Sequence, residues 1–292
     1  MNLPIPRRFL FCVVVLLAGV TALAHAGPEI ALTVDASQAP LKIIRTHMMM
    51  PARPGPLTLY YPKWIPGMHE PAGPVGSVTG LAFSAGGKSI PWTRDLRDVF
   101  TFHVDVPPGA SQIEVSFDYL DPNGSPGGCR GSATDKLLVL SWNTNVLYPA
   151  GYTSAQITYR PKLRLPAGWK FGTALPVASQ SGDAVEFRPA TLERLVDSPV
   201  VSGQFFRAID LTPPGEPIHH EIDIVADSAA ALAMPAEVQR GLTNLVAEAG
   251  KLFGARHYRE YHFLLTLSEH TAHFGLEHNE SNDSRLPERV LL

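Results

Sequence analysis

Histidines and carboxylates stand close together at three places in this sequence: His69-Glu70, His219-His220-Glu221, and the stretch from His270 to Glu280. Such side chains can bind a metal or move protons. A catalytic zinc needs about three protein ligands and an open position for water. The usual device is H-E-x-x-H on a helix, which puts two imidazoles one turn apart beside a general base. No stretch of this sequence has that spacing. His69 begins it, but Gly73 stands where the second histidine belongs and Pro71 opposes a helix. His219, His220 and Glu221 fall in an expected strand, where adjacent side chains point to opposite faces. His270 and His273 are three apart beside another expected strand, so they and His278 converge on a metal only if a loop brings them together. Ordinary polar loop residues are the plainer reading. The residues therefore assign no catalytic residue and no metal ligand. No G-x-S-x-G occurs to support a serine nucleophile. Cys129 sits in a Gly-rich loop without a local motif and reads as incidental.

The elements that must position these groups are mostly strands. The chain has 27 prolines and 24 glycines in 292 residues, with only 17% charged residues, which favours short strands and turns over long helices. Phe100 to Val106 and Ile113 to Tyr119 alternate with period two, as half-buried strands do, with a hairpin-like break at Pro107-Pro108-Gly109-Ala110. Further strands are expected near Ile30, Leu57, Leu137, residues 155–159, Val185 and residues 200–206. Spacing of this kind argues an antiparallel β-sandwich. Residues 122–134, rich in Gly, Ser and Pro, read as a surface loop. Trp64, Trp92, Trp142 and Trp169 lie near turns and are expected to plug a sandwich end. After Pro217 a strand is followed by helical spacing at Val238, Leu242, Leu245, Val246, Ala249, Leu252 and Phe253. Pro235 suits the first turn and Gly254 the position just past the end. A strand over residues 261–267 closes the pattern. The composition shift places a domain boundary near residues 213–217.

The N-terminus reads as a secretory signal: Arg7 and Arg8, an apolar run over residues 9–23, then Ala24-His25-Ala26. Cleavage there takes the net charge from −3 to −5, because two arginines leave and no acid does. An exported chain, periplasmic or secreted, with no stable membrane span and no affinity for nucleic acid is expected. An uncleaved N-terminal anchor is the alternative. With Cys12 removed, Cys129 alone remains and no internal disulfide can form.

Five short segments, in order over roughly residues 59–284, carry a family resemblance. They are Tyr61-Pro62-Lys63-Trp64-Ile65-Pro66-Gly67; Leu165-Pro166-Ala167-Gly168-Trp169 with Thr173-Ala174-Leu175; Asp197-Ser198-Pro199-Val200 with Gly203 and Phe205; Leu252-Phe253-Gly254 before residues 261–265; and Gly275-Leu276-Glu277-His278-x-x-Ser281. Together they resemble glycyl aminopeptidase-like zinc metallopeptidases. The resemblance implies a mainly β chain: a signal peptide at 1–26, an N-terminal β-sandwich at 27–216, and the incomplete start of an α+β thermolysin-like catalytic domain at 217–292. It implies zinc as cofactor of the complete protein, with ligands outside this sequence and none expected for this chain alone. The implied partner is a peptide with a free N-terminus. By analogy with the G-x-M-E-N strand of related enzymes, the resemblance implies that Glu277 binds the substrate's α-amine, while Gly275 lets its backbone lie close. Glu277 pairing with His278 or a surface arginine is the alternative. Relatives usually carry several glycines before L-E-H; here only Gly275 remains and Phe274 precedes it, which speaks against strict preference for small residues. The chain alone is expected to be inactive. The rival reading is a non-catalytic secreted β-sandwich binding or accessory module.

Overall fold

A computed structural model describes residues 27–121 and 131–291. The expected signal segment with Cys12, the residue Cys129 and most of the 122–134 loop lie outside the described residues; at that loop's end, Ser132–Ala133 forms a short strand.

The period-two segments become strands with one buried face. Glu29–Asp35 and Gln112–Leu120 alternate exposed and buried along their length. The first lies inside a nine-stranded sheet, between Ile43–Pro51, antiparallel, and Thr158–Arg164, parallel. Ile43–Pro51 in turn pairs along all nine residues with Gln112–Leu120. Two four-stranded sheets contribute to the same core, whose fully buried members include Trp142, Tyr61, Tyr119, Tyr159 and Phe102. The result is a mainly β, layered structure.

Three local expectations differ from the structure. Thr101–Val106 and Gln112–Leu120 belong to different sheets, so Pro107-Pro108-Gly109 turns the chain between layers and closes no hairpin. Prolines there cannot donate to a ladder, which suits a corner as well as a hairpin. The strand expected at 155–159 runs instead over Thr158–Arg164, because Thr153 and Gln156 tie a turn before it. Pro161 sits inside that strand at a gap in pairing: Thr158 and Tyr159 pair with Ala190–Thr191, Lys162 to Arg164 pair with Ala184–Phe187, and Pro161 needs no acceptor on that side. Of the four tryptophans, Trp142 is buried and Trp92 and Trp169 pack on the core, but Trp64 stays 64% exposed and plugs nothing.

Residues 200–206 split between two sheets. Val200–Gly203 stays with the sandwich, while Phe205–Asp210 opens a five-stranded mixed sheet. Sheet membership thus changes at Gln204, ahead of the composition shift at 213–217. The strand order in this sheet is Phe205–Asp210, His220–Ala226, Tyr261–Leu267, Ser281–Leu286, Phe274–Glu277. The helix Ala236–Phe253 is the crossover between the parallel strands His220–Ala226 and Tyr261–Leu267. It starts one residue after Pro235, whose carbonyl receives the Val238 and Gln239 N–H groups, and ends on Gly254 at φ 67°. Val246 with Val238 and Leu242 covers Ile222, Ile224, Leu265 and Leu267 on one sheet face. The far end of the expected apolar stripe is uncovered: Leu245, Leu252 and Phe253 are exposed. On the other sheet face, Val225 and Leu264 pack against Leu137, Val139 and Val201 of the sandwich. No helix among the described residues is long and apolar enough to cross a membrane.

Candidate functional site

The Phe274–Glu277 strand lies at the sheet's edge and, among the described residues, pairs only with Ser281–Leu286, in register Phe274↔Arg285, Gly275↔Ser284, Leu276↔Asp283, Glu277↔Asn282. Alternation then assigns its two faces. Phe274 and Leu276 pack on Ile65 and Met68 of the loop that carries the W-x-P-G segment. Gly67 is required there: its φ is 79°, and a Cβ would come within 2.3 Å of Leu276 Cδ1. On the same face, the Arg285 guanidinium lies 5.3 Å from the Phe274 ring centroid and 2.6 Å from Asp283 Oδ2, with both charged side chains buried.

The opposite face presents Gly275 and Glu277, both exposed. Glu277 has no hydrogen bond or ion pair among the described residues. Pairing with His278, one of the alternatives, does not occur, because His278 turns the other way. Its Nδ1 is 2.8 Å from Asp197 Oδ1, and the Asn279 N–H donates to Asp197 Oδ2 at 2.9 Å. Asp197 is the residue that ends the short helix Leu192–Val196. Glu280 is tied down as well. It receives Arg259 Nε at 3.0 Å and Nη2 at 2.9 Å, and Arg194 Nη2 beside them. Burial works against its charge, but the hydrogen bonds from Arg259 and Arg194 prevail and hold its pKa down at about 2. Tyr261 stands nearby and donates to the Ser281 carbonyl at 3.0 Å. Burial, followed by the charges of Tyr258, Glu277 and Asp197, pushes its pKa up to about 12.

The histidines singled out by the sequence are not brought together. His270 and His273 are exposed in the bend before the edge strand, and His69 is exposed in the 64–73 loop. His220 is buried, with Nε2 2.9 Å from Tyr258 Oη and Nδ1 2.8 Å from the Ile218 carbonyl. Among the described residues, these histidines therefore do not meet as a zinc site.

The fold gathers a group that sequence reasoning missed. Glu221 and Asp223 lie two apart on one face of their strand, and His262 is the register partner of Glu221 on the next strand. Asp223 Oδ2 is 2.7 Å from His262 Nδ1, and one ligand atom from each of the three lies within 4.8 Å of the others. Burial, then the charge of Asp223, raises the Glu221 pKa. Burial opposes a charged His262, yet the Asp223 hydrogen bond and charge raise its pKa above the usual value. The only signal in the sequence was the parallel crossover itself: strand, helix, strand puts residues 221 and 262 side by side.

Comparison with known proteins agrees with this architecture. The profile described as the Peptidase M61 N-terminal domain matches residues 31–204. The fold is similar to that of an aminopeptidase N family protein from Idiomarina loihiensis, with TM-score 0.74 and 18% identity, over 90% of this chain and 43% of that one. It is also similar to a point variant of an M1 zinc metallopeptidase from Deinococcus radiodurans, with TM-score 0.50 and 12% identity, over 90% of this chain and 61% of that one. At these identities the likeness is one of fold. The chain thus spans less than two thirds of either solved structure. No curated protein matches the sequence. With the profile matched over more than half of its length, the chain belongs to the peptidase M61 family.

Proposed function

We propose that this chain supplies the N-terminal β domain and the substrate-anchoring edge strand of an exported zinc aminopeptidase-like protein. In that protein the metal ligands and general base come from residues outside this sequence. Glu277 takes the α-amine of a peptide with a free N-terminus, and Gly275 leaves room for the peptide backbone. A carboxylate fixed at one end of a cleft neutralises an ammonium and sets how far the peptide enters. The single observation behind this is that Glu277 and Gly275 share the exposed face of an edge strand, while His278 is held by Asp197 of the β domain and Glu280 by Arg194 of that domain together with Arg259. His278 therefore does not pair with the Glu277 carboxylate, and Glu280, already paired with two arginines, does not compete for the ammonium.

The test is an aminopeptidase assay of the complete gene product with Glu277→Gln. Loss of a charged partner for the amine should lower kcat/KM for substrates with a free N-terminus by about 10²-fold or more. Unchanged kcat/KM would refute the amine role. Metal-dependent peptidase activity from residues 27–292 alone would overturn the assignment of the metal ligands to another segment. The accessory-module reading draws on exposed Trp64, Leu245, Leu252 and Phe253, and a complete gene product without H-E-x-x-H would favour it.

A further inference from the structure

Glu221, His262 and Ser281 occupy one row across three adjacent parallel strands, through the registers Glu221↔His262 and His262↔Ser281. Asp223 lies one step along the same face. The row faces the sandwich, because Val225 and Leu264 on that face pack against it. Strand Lys170–Gly172 closes over it so tightly that a Cβ on Gly172 would stand 2.2 Å from Asp223 Cγ. Asp223 is therefore fully buried, His262 nearly so, and Glu221 remains partly open to solvent.

Two features of this cluster are unbalanced. Two carboxylates sit together there, and among the described residues no lysine or arginine pairs with either; their only charge partners are His262 and, at 3.7 Å from Glu221, the exposed His219. Second, the Ser281 hydroxyl, wholly buried beside His262, has no hydrogen-bond partner. An unsatisfied buried hydroxyl next to a one-histidine, two-carboxylate group is the arrangement a bound ion and its water would complete.

We infer that Glu221, Asp223 and His262 form a binding site for a divalent first-row transition metal ion, with Ser281 accepting from or donating to a water on that ion. Ligand bonds of about 2.0–2.2 Å at tetrahedral angles put two ligand atoms on one ion about 3.3–3.6 Å apart. The present spread of up to 4.8 Å closes if each of the two atoms moves by under about an ångström. The imidazole favours zinc, copper, nickel or iron over calcium and magnesium, which prefer all-oxygen shells. The ion would replace the contact between His262 Nδ1 and Asp223 Oδ2 and pin two strands at the seam with the sandwich. This site lies on the opposite sheet face from Glu277.

The experiment is zinc titration of the EDTA-treated full chain by calorimetry at pH 7.5. One equivalent is expected to bind with Kd below about 10 μM, with no comparable binding of Ca²⁺ or Mg²⁺. Glu221→Gln changes a partly exposed side chain and should fold, and it should weaken zinc binding by about tenfold or more. His262→Gln should do the same. The visible spectrum of the Co²⁺-loaded wild-type chain reads the ligands without any substitution, and nitrogen and oxygen ligation without a thiolate charge-transfer band is expected. Absence of saturable zinc binding would overturn the inference. So would binding left intact by both substitutions, or a thiolate band from Cys129.

Discussion

His278 Nδ1 lies 2.8 Å from Asp197 Oδ1, across 81 residues of sequence. The residue directly after Glu277 is thus held by the residue that ends a helix of the β domain. Asp197→Ala would leave a buried imidazole without its acceptor and the Asn279 N–H without its partner. The expected loss is about 1–3 kcal/mol, read as a lower urea midpoint with an unchanged slope. A midpoint equal to that of the wild type would mean that the contact contributes nothing.

Glu280 makes stability depend on acid. Its folded pKa is about 2 against an ordinary 4.5, so the folded state binds its proton less readily than the unfolded state. Its contribution is fully present above pH 4.5 and is lost as pH falls toward 2. Arginine side chains do not titrate in this range, so the change comes from the carboxylate. Acid unfolding curves of wild type and Glu280→Gln should converge below about pH 2 and separate above 4.5, with the variant the less stable. Parallel curves across the range would contradict this.

Gly67 and Leu276 form a tight contact that a single methyl group would break. Gly67→Ala adds a Cβ at a positive φ and against Leu276 Cδ1. A loss of at least about 1 kcal/mol is expected. In the double variant Gly67→Ala, Leu276→Ala, the steric part should be relieved, so the two losses should sum to more than the combined loss. Simple additivity in thermal unfolding would show that the backbone conformation alone is responsible.

Glu277 should behave in the opposite way. It is exposed and has no ion-pair partner among the described residues, so Glu277→Gln should shift stability by no more than about 0.5 kcal/mol. A loss of several kcal/mol in denaturant titration would reveal a structural role and weaken the substrate reading.

Much of the architecture was legible from local pattern. Gln112–Leu120 alternates so regularly that period alone locates it, and Gly254 ends the long helix where its spacing stops. Pairing choices were less legible. Nothing in Pro107-Pro108-Gly109 distinguishes a hairpin from a corner between layers, since either satisfies prolines without N–H groups. At the site, the G-L-E-H run was readable as a motif, but its environment was not. That Phe274 and Leu276 rest on Ile65 and Met68 depends on a contact between segments some two hundred residues apart. The Glu221, Asp223 and His262 group was hidden for a similar reason: residue spacing within one strand says nothing about which strand lies next to it. The exposed Leu245, Leu252 and Phe253 show the limit of periodicity, which identifies an apolar stripe without saying how much of it is covered.

The ties from Asp197 and Arg194 to His278 and Glu280 also imply an order of assembly. The short helix Leu192–Val196 precedes the edge hairpin in the chain, so the β domain can fold around it before residues 274–286 have left the ribosome. The hairpin then meets a finished template, and its register is set from outside by fixed charges. A β domain slow to form that helix would release a free edge strand with nowhere to dock, so the speed at which it forms would govern how often the segment that follows aggregates.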